Sequence, residues 1–195
     1  MNSQKYTKKA VFLDRDGVII EEKNYLHKIE DVVFIKNAAA ALKQLQNAGF
    51  LLIIVTNQSG VGRGYFTMED VNKVNEFIKS QLKKEGVHIN EIYVAPEAPE
   101  QPSVGRKPSP AFLFEARDKF QIDLSKSFVV GDKLADIECG WNAGVKKSIL
   151  VLTGYGKKTQ AEYADRLKDA VVLNDLSEAA NWILNSENLN NVASS

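Results

Sequence analysis

The chain has 195 residues, 44% hydrophobic and 26% charged, and its 25 basic and 25 acidic residues cancel to a net charge of zero. That length fits one compact domain with an insertion or a tail, and the composition is too apolar for a disordered chain. Zero net charge gives no global reason to expect nucleic acid or an anionic membrane as a partner, and the single cysteine, Cys139, excludes an internal disulfide or a zinc site needing two cysteines.

No stretch approaches the roughly 18 apolar residues of a membrane span. The apolar run after the basic start covers only residues 10–13, short of the about 7–15 of a signal peptide. A soluble, cytoplasmic, monomeric protein is expected.

Residues 10–13 read as a buried strand ending at Asp14. Asn37 is placed to cap a helix with the apolar face Ala38, Ala41, Leu42, Leu45 and Ala48, stopped by Gly49. Residues 50–55 form a continuous apolar run, read as a strand buried on both faces. Thr67 and Asp70 suggest a capping box opening a helix to about Lys84. Short strands are expected at 92–95, 128–130, 148–152 and 171–173. Helices are expected from Ser109-Pro110 to about Phe120, over 134–143, and from a cap at Asp175 or Ser177 to about Leu184. Residues 96–102 hold three of the five prolines and read as an extended loop. Residues 1–185 are expected to form one domain, and the Asn- and Ser-rich residues 186–195 a frayed tail.

Alternating strands and helices imply an α/β fold, a doubly wound parallel sheet with helices on both faces. In such sheets ligands sit at the carboxyl ends of the strands. Four strand ends carry polar clusters. Asp14-Arg15-Asp16-Gly17 offers two carboxylates that can converge on a Mg²⁺ or act as nucleophile and acid, although a solvated turn has the same composition. Thr56, Asn57, Gln58, Ser59 and Gly60 supply a hydroxyl and backbone N–H groups able to cradle a phosphate. The spacing of Gly60, Gly62 and Gly64 matches neither a dinucleotide fingerprint nor a P-loop. Arg106 and Lys107 precede a helix start, a good place for an anion. Asp132 and Asp136 can share one face of a first helical turn.

In this order the four motifs resemble those of the haloacid dehalogenase superfamily of phosphohydrolases. With Tyr25-Leu26-His27, the chain from Ala10 to Gly154 is similar to the D-glycero-D-manno-heptose-1,7-bisphosphate phosphatase and histidinol-phosphatase family. The resemblance implies a nearly capless Rossmann-like domain. It implies that Asp14 is the nucleophile, Asp16 the general acid/base, and Thr56 and Lys107 the groups that hold the phosphoryl oxygens. Mg²⁺ would be held by Asp14, Asp132 and the backbone carbonyl of Asp16. Asp136 would stand beside that metal shell or orient Lys107. Arg106 and Lys133 would recognise a distal phosphate, and Glu22, Lys23, Asn24 and Tyr25 would line a sugar.

One departure concerns metal. The family's loop before Arg-Lys-Pro often holds zinc through cysteines and a histidine, and those positions fall here on Ala95, Glu97, Ser103 and Gly105. No structural zinc is expected. The implied substrate is a small sugar phosphate, most directly the 7-phosphate of the heptose bisphosphate. The alternatives are histidinol phosphate, another phosphomonoester such as a nucleic-acid 3′-phosphate, and a non-enzymatic domain that only accepts phosphate on Asp14. A domain of that last kind has no need of Asp16. His27 is expected to shape the pocket, His88 to lie on the surface and Cys139 in the core.

Overall fold

In the computed structural model, which describes residues 6–192, six parallel strands form one sheet in the order β3-β2-β1-β4-β5-β6. These are β1 (Lys9–Leu13), β2 (Phe50–Asn57), β3 (Glu91–Ala95), β4 (Phe128–Gly131), β5 (Lys147–Val151) and β6 (Val171–Leu173). The chain builds outward from β1 to β2 and β3, then returns to pair β4 on the other side of β1. That reversal leaves a crevice at the carboxyl ends of β1, β2 and β4, where Asp14, Thr56 and Asp132 fall.

Strand residues alternate between two cores, as the period of two requires. Val11, Leu13, Leu52, Ile54, Phe128 and Val130 face a cluster that includes Leu42 and Leu45 of α1 (Ala38–Asn47). The same cluster takes Val74 and Ile78 of α3 (Met68–Lys84) and Ala179 and Ile183 of α7 (Leu176–Val192), with the four-residue α2 (Ser59–Gly62) lying between α1 and α3 in the chain. Phe12, Ile53, Val55 and Val129 face the opposite side, toward Leu113 and Ala116 of α4 (Ala111–Phe120) and Cys139 of α5 (Leu134–Ala143). Each buried Val, Leu, Ile or Phe among them contributes about 1.5–3 kcal/mol.

The predicted strands are all present, within one or two residues. The box at Thr67 and Asp70 forms, with both reciprocal hydrogen bonds in place. Asp175, rather than Ser177, caps α7 by accepting from the Glu178 N–H at 2.9 Å. Four readings need correction. α4 starts at Ala111 with Pro110, not Ser109, at the N-cap position, and Ser109 Oγ donates to the Val104 carbonyl at 2.6 Å. Asn37 does not cap α1 through its side chain; it stands in the left-handed region at φ 63°, which Asn tolerates. A helix, α6 (Gly156–Tyr163), was not expected, because it buries only Gly156 and Thr159 and so has no apolar stripe to read. The last helix continues past Leu184 to Val192 instead of fraying from 186. Glu187 helps to hold it, 3.1 Å from Lys9 and 2.6 Å from Lys146. Residues 193–195 of the expected tail lie outside the described residues.

Candidate active site

Asp14 directly follows β1, and its N–H donates to the Val130 carbonyl of β4 at 3.0 Å. Its Oδ1 accepts from the Arg15 N–H at 2.8 Å and lies 3.0 Å from Lys107 Nζ. The same ammonium is 2.6 Å from Asp136 Oδ1 and donates to the Val55 carbonyl at 2.6 Å. All three of its protons are thus directed, and its side chain is only 5% exposed. Asn57 holds the lysine's backbone from both ends, accepting from the Lys107 N–H at 3.0 Å and donating to its carbonyl at 3.1 Å.

Asp132 ends β4 and is fully buried. Its Oδ2 accepts from the Tyr155 N–H at 2.8 Å, and its backbone carbonyl accepts from Thr159 Oγ1 at 2.8 Å. Its Oδ1 has no hydrogen-bond partner. A Cβ at Gly17, where φ is +83°, would come within 2.2 Å of Asp132 Oδ2, so this turn requires glycine. One carboxylate oxygen each from Asp14, Asp132 and Asp136 fall within 4.8 Å of one another. A buried carboxylate oxygen without a donor, facing a second carboxylate, is a fitting place for a hard divalent cation. Asp136 differs from Asp132, because both its oxygens are engaged: Oδ1 with Lys107, and Oδ2 with the Lys133 N–H at 2.9 Å.

The electrostatics separate these carboxyls. Burial opposes the charge on Asp14, but Lys107 and then Lys133 outweigh it and hold this carboxyl below its ordinary value. Burial, and next the charge of Asp14, push Asp132 up to about 8. Asp136 is also raised, by burial and by Asp14, against the pull of Lys107. Burial works against the charge of Lys107, yet Asp136 and Asp14 raise its pKa.

Asp14, Asp16, Thr56, Lys107 and Asp136 line a cavity of about 250 Å³. Its walls bring in Glu22, Asn24 and Tyr25 on one side and Asn57, Gln58 and Ser59 on another, with Lys133 near Asp136. Lys23 lines an adjoining cavity of about 670 Å³, which shares Glu22, Asn24 and Tyr155 with the first. Arg106 lines neither cavity; one of its terminal nitrogens donates to the Glu97 carbonyl at 2.9 Å. His27 stacks on Phe66, with ring centroids 5.1 Å apart, and His88 is exposed. Cys139 is buried as expected, and burial pushes its thiol up to about 12.

Sequence reasoning missed Tyr155. Its ring centroid lies 4.7 Å from Lys133 Nζ, which also pairs with Glu22 at 3.0 Å. The Thr153-Gly154-Tyr155 segment follows β5, so the strand-end rule already applied to the other strands would have found it. At the four positions aligned with the family's zinc ligands, Ser103 Oγ donates to Glu97 Oε2 at 2.7 Å, Gly105 packs against the Phe112 ring and Ala95 is buried.

A family pattern described as HAD-hydrolase-like matches residues 104–179. The structure of D,D-heptose 1,7-bisphosphate phosphatase from B. bronchiseptica, complexed with magnesium and phosphate, superposes with a TM-score of 0.85 at 28% identity, covering 91% of this chain and 99% of that one. The sheet and these matches define a haloacid dehalogenase-like hydrolase. The D-glycero-alpha-D-manno-heptose-1,7-bisphosphate 7-phosphatase of Photorhabdus laumondii is 40% identical over 163 residues, 80% of this chain and 89% of its own length. The D-glycero-beta-D-manno-heptose-1,7-bisphosphate 7-phosphatase of Helicobacter pylori J99 is 38% identical over 178 residues, 91% of this chain and 98% of its own. The chain belongs to the D-glycero-D-manno-heptose-1,7-bisphosphate 7-phosphatase family and is a phosphoric monoester hydrolase. Among the described residues, no helix is long and apolar enough to cross a membrane.

Proposed function

We propose that this chain is a Mg²⁺-dependent phosphatase that removes the 7-phosphate of D-glycero-D-manno-heptose 1,7-bisphosphate through an aspartyl-phosphate. One observation carries the reading. At the ends of neighbouring strands β1 and β4, Asp14 beside Lys107 faces the buried carboxylate of Asp132, whose Oδ1 accepts no hydrogen bond and lies 3.9 Å from Lys133 Nζ. Asp14 attacks phosphorus, and the ester P–O bond breaks as Asp16 gives its proton to the leaving oxygen. Water then attacks the phosphorus of the aspartyl-phosphate and gives a proton to Asp16. Phosphate leaves and the Asp14 carboxylate is restored.

Thr56 and Lys107 hold the phosphoryl oxygens, matching their charge as it spreads in the transition state. Asp14, Asp132 and the backbone carbonyl of Asp16 hold the metal, which when bound neutralises phosphoryl charge. Asp136 orients Lys107, a role supported by its full set of partners. Glu22, Lys23, Asn24 and Tyr25 line the path of the sugar, Asn57, Gln58 and Ser59 close its phosphate end, and Lys133 takes the distal phosphate, joined by Arg106 on leaving the Glu97 carbonyl that it bonds outside the cavity. The loop before Lys107 holds no structural zinc in this reading. Glu97 and Ser103 already bond to each other, and a carboxylate with a hydroxyl is a poor tetrahedral donor set.

The test is phosphate release by the purified protein with Mg²⁺ from both anomers of the bisphosphate, histidinol phosphate and a 3′-phosphorylated oligonucleotide. The heptose substrate is expected to give the highest kcat/KM, and Asp14→Asn to reduce release to background. A preference for histidinol phosphate would overturn the substrate; release that survives Asp14→Asn would overturn the nucleophile.

A further inference from the structure

Arg15, the residue between the two aspartates, plays no part in the chemistry above, yet it is 1% exposed. A guanidinium is costly to bury unless it is fully paired, and a buried pair is often no more stabilising than apolar residues of the same volume. Its placement therefore calls for a reason beyond stability. Arg15 Nε donates to Asp16 Oδ2 at 3.0 Å and one terminal nitrogen donates to Asp16 Oδ1 at 3.2 Å, a forked contact. An ion pair between adjacent residues ties no distant parts of the chain together. What it constrains is the rotamer of Asp16.

The fork is itself anchored. The other terminal nitrogen of Arg15 donates to Asn75 Oδ1 at 2.9 Å. Asn75 is a polar residue, 5% exposed, on the face of α3 that also buries Val71, Val74 and Ile78. From the other side, Gln58 Nε2 donates to Asp16 Oδ2 at 2.9 Å and to Thr56 Oγ1 at 2.8 Å. The two Asp16 oxygens thus receive three hydrogen bonds while the residue still lines the cavity.

We propose that Arg15, anchored by Asn75, is a positioning residue that aims the Asp16 carboxyl at the leaving oxygen. The proposal rests on the reading of Asp16 as the acid. A displaced acid harms poor leaving groups most, because a good one departs with little help from a proton. The experiment compares kcat/KM on heptose bisphosphate, an alkyl phosphate, with that on 4-nitrophenyl phosphate, an aryl phosphate. Both values report ester cleavage, and circular dichroism checks folding.

Arg15→Lys keeps the charge and loses the fork. It is expected to lose about 10–100-fold on the alkyl substrate and under about 3-fold on the aryl one. Asn75→Leu, a second variant in case the first folds poorly, should shift the ratio the same way by about 3–10-fold. Asp16→Asn is the control. If Asp16→Asn changes the ratio and both other variants lose equally on the two substrates, the positioning role is overturned and the acid stands. If Asp16→Asn leaves the ratio unchanged, the acid assignment falls, and this proposal falls with it.

Discussion

Asp14, Thr56, Lys107 and Asp136 form the floor of the cavity and, with Asp132 buried against them, are each at most 6% exposed, whereas in the loops that follow β1, β2 and β3, at the mouth of the crevice, Tyr25, Tyr65 and Val104 are 38%, 59% and 81% exposed. Floor side chains share partners: one ammonium serves two carboxylates, and one amide of Gln58 joins Thr56 to Asp16. At the mouth, Tyr25 and Tyr65 meet edge to face with ring centroids 4.9 Å apart. A change at the floor strands a buried charge, while a change at the mouth leaves a group that water can solvate. The proposed function thus assigns chemistry to residues that depend on one another and substrate choice to residues that can vary singly.

The largest effect is expected from Lys107→Met. It leaves three carboxylates with oxygens within 4.8 Å and without their buried cation. Breaking a buried pair of this kind costs about 3–5 kcal/mol, and losing a donor to the phosphoryl group costs about 10²–10³ in kcat. Urea unfolding without Mg²⁺ and phosphate release with it measure the two losses. A variant as stable as the parent would show that the floor is not interdependent.

The next effect concerns Asp132, whose carboxyl burial and the charge of Asp14 push up to about 8. Unfolded, that carboxyl titrates near 4. Between these values the folded chain binds the extra proton, so its contribution makes the metal-free protein less stable as pH rises from about 4 to 8. The size is on the order of a few kcal/mol. Asp14 is shifted the opposite way, so the difference between wild type and Asp132→Asn isolates the effect. In chelator at pH 8, Asp132→Asn should have the higher urea midpoint, and near pH 4 the two should converge. Mg²⁺ should raise the wild-type midpoint at pH 8 far more than the variant's, because metal binding takes the deprotonated carboxylate.

The floor was legible in the sequence for the same reason that it is rigid. Asp14, Thr56 and Asp132 end apolar runs too short for helices, which read as strands buried on both faces whose first polar residue emerges at the crevice. Asp136 could be located, but its contacts with Lys107 and the Lys133 N–H, which support the role of orienting Lys107, are visible only in the structure. The helix α6 escaped because Gly156–Tyr163 has no apolar periodicity, whereas Tyr155, just after β5, lay within reach of the strand-end rule. The polar end of α7 escaped because its ion pairs reach Lys9 and Lys146, far away in the chain. Arg15 stood in the sequence only as the residue between the two aspartates; it is paired with Asn75, sixty positions on, which no local pattern reveals.

The smallest effect tests the mouth. Ser103 Oγ donates to Glu97 Oε2 at 2.7 Å and accepts from the Arg106 N–H at 3.1 Å, while Arg106 reaches the Glu97 carbonyl at 2.9 Å. One hydroxyl therefore joins both limbs of the proline-rich loop and sets where Arg106 begins. Ser103→Ala removes both bonds, each worth about 1 kcal/mol net, and loosens a segment whose opening need not unfold the sheet. If Arg106 recognises the distal phosphate, KM for the bisphosphate should rise about 3–5-fold with kcat unchanged, and KM for a monophosphate should stay put. Arg106→Ala should give the same pattern at about 10-fold. If Ser103→Ala instead lowers kcat on both substrates, the loop reaches the floor through Lys107, the neighbour of Arg106, and specificity and chemistry are not separable in this cavity.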